Sequence, residues 1–408
     1  MRLTVIVHAW ALALVAAFVL AGCGGGDHSS SASPTTSAGV PSRTPGAVQK
    51  LGFPALATKN TTRVDGVDPT ADAAGVALAV YPSAAAGTHP RAVVLAPSDS
   101  WQASIAASAL MASPIGAPLL LSGHDRLPSA TATALDALQP SGSSQAGGAQ
   151  VIRIGDVPSP SGERAAAVTG RGPYALAAGV DRFLSAAQGR TSRDVVIASA
   201  DAPAYAMPAA GWAAESGDSV LFVGHHGVPP ATAQALRAHQ HPSIYVLGPP
   251  SVISNSLLRQ LRRFGTVKRV GATDPASNSV AFAIYRDPAC PYAQPCAHVP
   301  GSFGWAMRSP GHGYVLLNAS RPLDAAAAAA LSGSGDYGPQ LLVNAPSALP
   351  KPVLNFFLNY ATPGYTQQGP TAAVYNHGWV IGDARAISVS VQAELDNLLQ
   401  AVPASGSR

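Results

Sequence analysis

The densest charge in this 408-residue chain is Arg259-Gln-Leu-Arg262-Arg263-Phe-Gly-Thr-Val-Lys268-Arg269, five cations in eleven residues. Guanidinium forks pair with phosphate or carboxylate through parallel hydrogen bonds, so this run suits an anionic polymer. The same cations read equally as compensation of a helix dipole at a solvated C-terminus. His225-His226, His239 and His241 have no local carboxylate or thiolate to complete a metal set, and they read as loop histidines. Gly170-Arg-Gly172-Pro-Tyr-Ala175 fits the dinucleotide pattern GxGxxA, a weak motif alone, and reads as a Gly-rich turn. Asp65, Asp68 and Asp72 could share one face at a helix start, where capping accounts for them without acid–base chemistry. Trp101, Trp212, Trp305 and Trp379 read as core, with stacking on a sugar as the functional alternative for one of them. No G-x-S-x-G, H-E-x-x-H or S-x-x-K occurs. The expectation is therefore no catalytic residue, no metal and no cofactor.

Composition narrows the partners. The chain is 47% hydrophobic and only 11% charged, with 40 Gly, 36 Pro and a formal charge of +4. It is too apolar to be disordered, and it lacks the basic density that neutralises nucleic-acid phosphates. Only 4 of its 25 cations are Lys. An Arg, Ala, Gly and Pro bias of this kind follows from GC-rich codons and says nothing of function.

The N-terminus carries its own chemistry. Arg2 precedes an apolar run from Leu3 to Leu20, which ends in Leu20-Ala21-Gly22-Cys23. Small residues directly before a Cys resemble the bacterial lipobox, so Cys23 is expected to be acylated and residues 1–22 removed. The run is short for a membrane span, and several acyl chains would hold the mature protein on the membrane. Residues 23–47 are nearly devoid of large apolar side chains and read as a flexible tether. Cys290 and Cys296 remain, flanking PYAQP, and in an exported protein they are expected to pair as a disulfide.

Self-comparison shows three repeats. Arg63-Val-Asp-Gly-Val-Asp68-Pro69, Ala167-Val-Thr-Gly-Arg-Gly172-Pro173 and Arg269-Val-Gly-Ala-Thr-Asp274-Pro275 each precede an Ala-rich helical segment. Pro fits the first helical turn, and Asp68 and Asp274 are placed as N-caps. Two apolar strand blocks follow in each copy, and the distances Val93 to Leu119, Val195 to Leu221 and Val315 to Leu341 are all 26 residues. An Ala-rich crossover helix fits between them, which makes the strands parallel. A third strand block ends in Gly155, Gly248 and Gly382. The fold class is α/β, with near-continuous Val, Leu and Ile strands buried on both faces.

This pattern resembles the cell wall binding repeat 2 family, over about residues 60 to 402. The family's opening Arg and Asp match Arg63, Asp68, Arg269 and Asp274, with Ala167 and Gly172 in those places in repeat two. Its Phe-Pro-Asp-Ala-Leu motif survives best as Leu323-Asp324-Ala325. The resemblance implies a Toprim-like α/β unit, three units about a pseudo-threefold axis in one chain, and non-covalent binding to an anionic wall polymer.

The expected organisation is a signal peptide at 1–22, a lipid-anchored linker at 23–47, and repeats at 60–160, 161–264 and 265–402, the last with an insertion at about 286–310. The expected protein is an extracytoplasmic, non-catalytic lipoprotein, monomeric with an internal pseudo-trimer. It would be anchored to the membrane through Cys23 and bind a polymer through Arg259, Arg262, Arg263, Lys268 and Arg269. A solute-binding lipoprotein of a transporter and an envelope enzyme are the alternatives, and the threefold repeat argues against the two-lobed first of these.

Overall fold

The computed structural model describes residues 56–85, 87–287, 302–335, 337–365 and 373–403. Cys23, Cys290 and Cys296 lie outside the described residues, as do the signal peptide, the linker and most of the insertion. Among the described residues no helix is long and apolar enough to cross a membrane.

After a short β1 (Leu56–Ala57) and β2 (Thr61–Val64), the chain builds three groups of strands. The first is β3 (Val93–Pro97), β4 (Leu119–Ser122), β5 (Val151–Ile154) and β6 (Ala165–Val168). The second is β7 (Asp194–Ser199), β8 (Ser219–Val223), β9 (Ser243–Leu247) and β10 (Thr266–Val270). The third has β11 (Gly313–Asn318), β12 (Gln340–Val343) and β14 (His377–Ile381), and a small separate ladder joins β13 (Gly364–Tyr365) to β15 (Val402–Pro403). The strands at the middle of each sheet, β3, β7 and β11, are buried at every residue, as their unbroken apolar runs require of a sheet covered by helices on both faces.

The sheets run β4-β3-β5-β6, β8-β7-β9-β10 and β12-β11-β14-β2, all parallel, with β1 added antiparallel to β2. The first strand of each group therefore sits inside, the second pairs on one side and the third on the other. The fourth strand is additional to the three strand blocks read from the sequence. The opening motif of repeat two supplies β6 to the first sheet, and that of repeat three supplies β10 to the second. The opening motif of repeat one, at the far end of the chain, supplies β2 to the third.

Each opening motif thus straddles two units. Its strand completes one sheet, while its helix packs against the second strand or second crossover helix of the next. The helix Pro69–Val80 lies on β4 and the helix Ser129–Leu138, Gly172–Gln188 lies on β8 and Pro230–Ala238, and Pro275–Ile284 lies on β12 and Lys351–Asn359. The local starts of these helices are as their sequences dictate. Asp68 accepts the N–H groups of Thr70 and Ala71 at 2.9 Å, and Asp274 that of Ser277 at 3.0 Å, with Pro next in each case.

The first crossover helices of the three groups meet one another. The helix Trp101–Ala107 with the turn Ser108–Met111, the helix Pro208–Ser216, and the helices Pro322–Ala327 and Ala329–Ser332 are in mutual contact. Alanine and glycine make this approach possible. A Cβ on Gly211 would lie 2.7 Å from the Ser332 hydroxyl, and one on Gly333 would lie 2.7 Å from the Ala214 carbonyl oxygen. One apolar core consequently runs through all three groups of strands.

Candidate functional site

The arginines of the first and third opening motifs turn to the protein's own acceptors. Arg63 is 2% exposed and donates from Nε to Gln392 Oε1 at 2.9 Å, from Nη1 to the Gly382 carbonyl at 2.6 Å and from Nη2 to the Ser388 carbonyl at 3.4 Å. Arg269 repeats the arrangement on the second sheet, reaching the carbonyls of Gly248 and Ile253 at 2.6 Å and Asn255 Oδ1 at 3.3 Å. Each guanidinium stems from the fourth parallel strand of its sheet and ties it to the Gly turn that ends the neighbouring strand. Repeat two has Ala167 at this place, and Arg153, on the adjacent strand, reaches the Val157 carbonyl at 2.7 Å.

The five cations of the basic run are accordingly divided. Arg259, Arg262 and Arg263 are exposed on and just beyond the helix Asn255–Leu261. Lys268 pairs with Asp287, and its ammonium lies 5.5 Å from the centre of the Tyr245 ring. Lys268 and Arg269 are successive residues of β10, so they leave opposite faces of the sheet.

A deeper charge cluster joins the first and third repeats. Asp72, on the helix Pro69–Val80, and Asp324, on the helix Pro322–Ala327, are both fully buried. Arg321 lies between them, with Nη2 2.9 Å from Asp72 Oδ2 and Nε 2.6 Å from Asp324 Oδ2. The Gly66 N–H also donates to Asp72 Oδ1 at 2.9 Å, and a side chain on Gly66 would collide with that carboxylate. Burial and the proximity of Asp324 hold Asp72 well above the ordinary carboxylate range, against the pull of Arg321. Burial likewise pushes Asp324 up to about 6, opposed by Arg321. Two carboxylates sharing one cation in a dry site cannot both ionise cheaply.

Arg321 also floors two adjoining grooves at the carboxyl ends of the strands, where open parallel sheets generally bind ligands. One, of about 420 Å3, lies between the turn Val67–Pro69, the segment Ser98–Trp101 and the segment Ser320–Leu323. The other, of about 300 Å3, shares Val67, Ser320 and Arg321 and adds Asn344, Asp383 and Arg385. Trp101 is half-buried beside the first, its ring edge-on to Phe222 with centroids 5.7 Å apart. Asp99, at the same rim, pairs with His124 at 2.7 Å, and the other ring nitrogen of His124 lies 2.6 Å from the Asp156 carbonyl oxygen. Both nitrogens face acceptors, which favours the imidazolium form and raises its pKa.

This chain is similar in fold to Cwp8 from Clostridium difficile. The two superpose with a TM-score of 0.62 at 16% identity, over 84% of this chain and 53% of that one. Cwp6 from Clostridium difficile superposes with a TM-score of 0.59 at 16% identity, over 82% of this chain and 48% of that one. The chain thus spans about half the length of each. No family model matches the sequence, and no curated protein matches it.

The remaining sequence candidates are accounted for locally. His239 is buried, with Nε2 2.7 Å from Asp181 Oδ1 and Nδ1 2.8 Å from the Ser192 carbonyl oxygen. His225 and His226 line an open depression with Tyr174 and Asp201. Gly170 is needed for close packing, since a Cβ there would meet the Ala175 backbone at 2.7 Å. Trp212 and Trp305 are core, with centroids 5.3 Å apart, whereas Trp101 and Trp379 are half-buried. Arg321 and the His124–Asp99 pair carried no signal in the repeats. Arg321 stands where the other two copies have Ser100 and Ala202, so comparison of the copies hides it.

Proposed function

We propose that this is a lipid-anchored envelope protein that binds an anionic cell-wall polymer without turning it over. The observation that carries this reading is the fold, shared with two cell-wall proteins of Clostridium difficile across more than four-fifths of this chain. The lipobox-like Leu20-Ala21-Gly22-Cys23 supplies the anchor, and residues 23–47, poor in large apolar side chains, link it to the rest of the chain. In this reading three α/β units are arranged about a pseudo-threefold axis. The exposed trio Arg259, Arg262 and Arg263 meets the polymer, while Lys268 and Arg269 serve the fold.

Co-sedimentation of the purified chain with wall fractions from its own organism tests the reading. Binding is expected to weaken as salt rises, because the polymer charges are screened. Replacing Arg259, Arg262 and Arg263 together by Gln is expected to weaken binding about tenfold at low salt while leaving the thermal midpoint unchanged, since exposed pairs contribute little to folding. Salt-independent binding would remove the electrostatic mechanism, and release of soluble wall fragments by pure protein would make it an enzyme. Cys23→Ala is expected to shift the protein from the membrane fraction to the soluble fraction or leave its leader uncleaved. Mass spectrometry finding an unmodified Cys23 thiol in the native mature protein would end the anchor proposal.

A further inference from the structure

The groove over Trp101 has a chemistry different from the basic run, and we propose that it is a site for a sugar residue carrying a protonated amine. Its volume of about 420 Å3 lies within the range of small-ligand sites. Trp101 gives it an aromatic wall that is already held in place. The indole packs edge-on to Phe222, and the adjacent Gln102 side chain donates to the Ala200 carbonyl at 3.1 Å. An aromatic ring fixed in this way can stack on the apolar face of a pyranose and attract a cation placed over it. Leu323, Pro69 and Pro322 continue the apolar surface.

The polar groups of the groove select the sign of the ligand's charge. Asp68 uses only Oδ1 for its helix cap, and Asp99 uses only Oδ2 for His124. Each therefore keeps one carboxylate oxygen at the rim for a ligand's hydroxyl or ammonium group. Arg321 is the one guanidinium lining this groove, and it lies against the buried carboxylates Asp72 and Asp324. His124 is matched by Asp99 and the Asp156 carbonyl. No surplus positive charge faces the groove: His124 and Asp99 cancel as a pair, so a carboxylate or phosphate entering it would meet the Asp68 carboxylate uncompensated. An ammonium would be attracted by Asp68 and by the indole, with the free oxygen of Asp99 as a further acceptor. The site does not depend on the polymer reading, because it stands for any glycan that presents such a residue.

Titration of the purified full chain with glucosamine, N-acetylglucosamine and glucuronate, followed by indole fluorescence and by the NMR signal of the Trp101 ring N–H, tests the assignment. Glucosamine is expected to bind saturably at mildly acidic pH, N-acetylglucosamine about tenfold more weakly, and glucuronate not at all. Trp101→Ala is expected to weaken glucosamine binding about tenfold. Since Trp101 also packs on Phe222, Asp68→Asn with Asp99→Asn provides a second variant. Asn keeps the helix cap, so this variant should fold normally yet no longer prefer glucosamine to its acetylated form. Glucuronate binding as well as glucosamine, unchanged affinity in both variants, or equal binding of lysine amide would each overturn the proposal, the last by removing the sugar from it.

Discussion

Replacement of Arg63 by Ala is expected to destabilise the protein by about 2–4 kcal/mol, because hydrogen bonds from a charged donor are lost and the buried neutral acceptors are left unsatisfied. Three groups lose their donor at once: Gln392 and the carbonyls of Gly382 and Ser388. Gln392 in turn donates to the Leu56 carbonyl at 3.2 Å and to Thr61 Oγ1 at 3.1 Å, so the loss spreads to both short N-terminal strands. The last helix, Val389–Leu398, holds the same strands through Asp396, which accepts from the Thr58 hydroxyl at 2.6 Å and the Asn60 N–H at 2.7 Å. Arg63→Lys is expected to recover little, because an ammonium cannot reach the three acceptors that the planar fork serves. Arg269→Ala should cost less, since that guanidinium is only half-buried. Denaturant unfolding gives the stabilities, and hydrogen exchange should show β2 losing protection before β10. A loss below about 1 kcal/mol in Arg63→Ala would show that the network does not hold the third sheet closed.

The second large effect concerns Arg321 and is expected to depend on pH. Removing the cation by Arg321→Met leaves Asp72 and Asp324 buried together, and about 3–5 kcal/mol should be lost at neutral pH. Both carboxyls titrate higher in the folded protein than the unfolded value near 4, Asp324 at about 6. The folded state therefore holds more protons than the unfolded state between those values. The contribution of the two carboxyls to stability therefore rises as pH falls, for Asp324 through about 6, and levels off below about 4. In Arg321→Met this gain on acidification should grow, because the cation that lowered both carboxyls is gone. In Asp324→Asn it should shrink, with neutral-pH stability equal to or above that of the unmodified protein, because one of two like charges has been removed. Urea unfolding across this pH window distinguishes the three proteins. Equal slopes for all of them would show that the triad is not the source of the pH dependence.

Local patterns sufficed for much of the fold. The Val and Leu runs made strands covered on both faces, the identical 26-residue spacings made parallel pairs joined by crossover helices, and Asp68-Pro69 and Asp274-Pro275 made capped helix starts. These features depend on hydrogen bonds and burial within a short stretch of chain, which periodicity and residue type report directly.

The sites were decided at longer range. Arg269 reads in sequence as a polymer-binding cation and Arg63 is its counterpart in the first repeat, and only the neighbouring strand reveals that their donors are consumed by the Gly248 and Gly382 turns. Arg321 meets Asp72 across 249 residues of sequence, and Arg63 meets Gln392 across 329. By itself, the sequence determined the α/β alternation, the three copies and the chemistry of their helix starts. Tertiary structure alone decided that each opening strand belongs to the preceding sheet, that β2 completes the third, and which charges face solvent. The reason is physical: an edge strand has unpaired N–H and C=O groups that any parallel neighbour can satisfy, and a buried charge is fixed by whichever opposite charge the packing brings beside it.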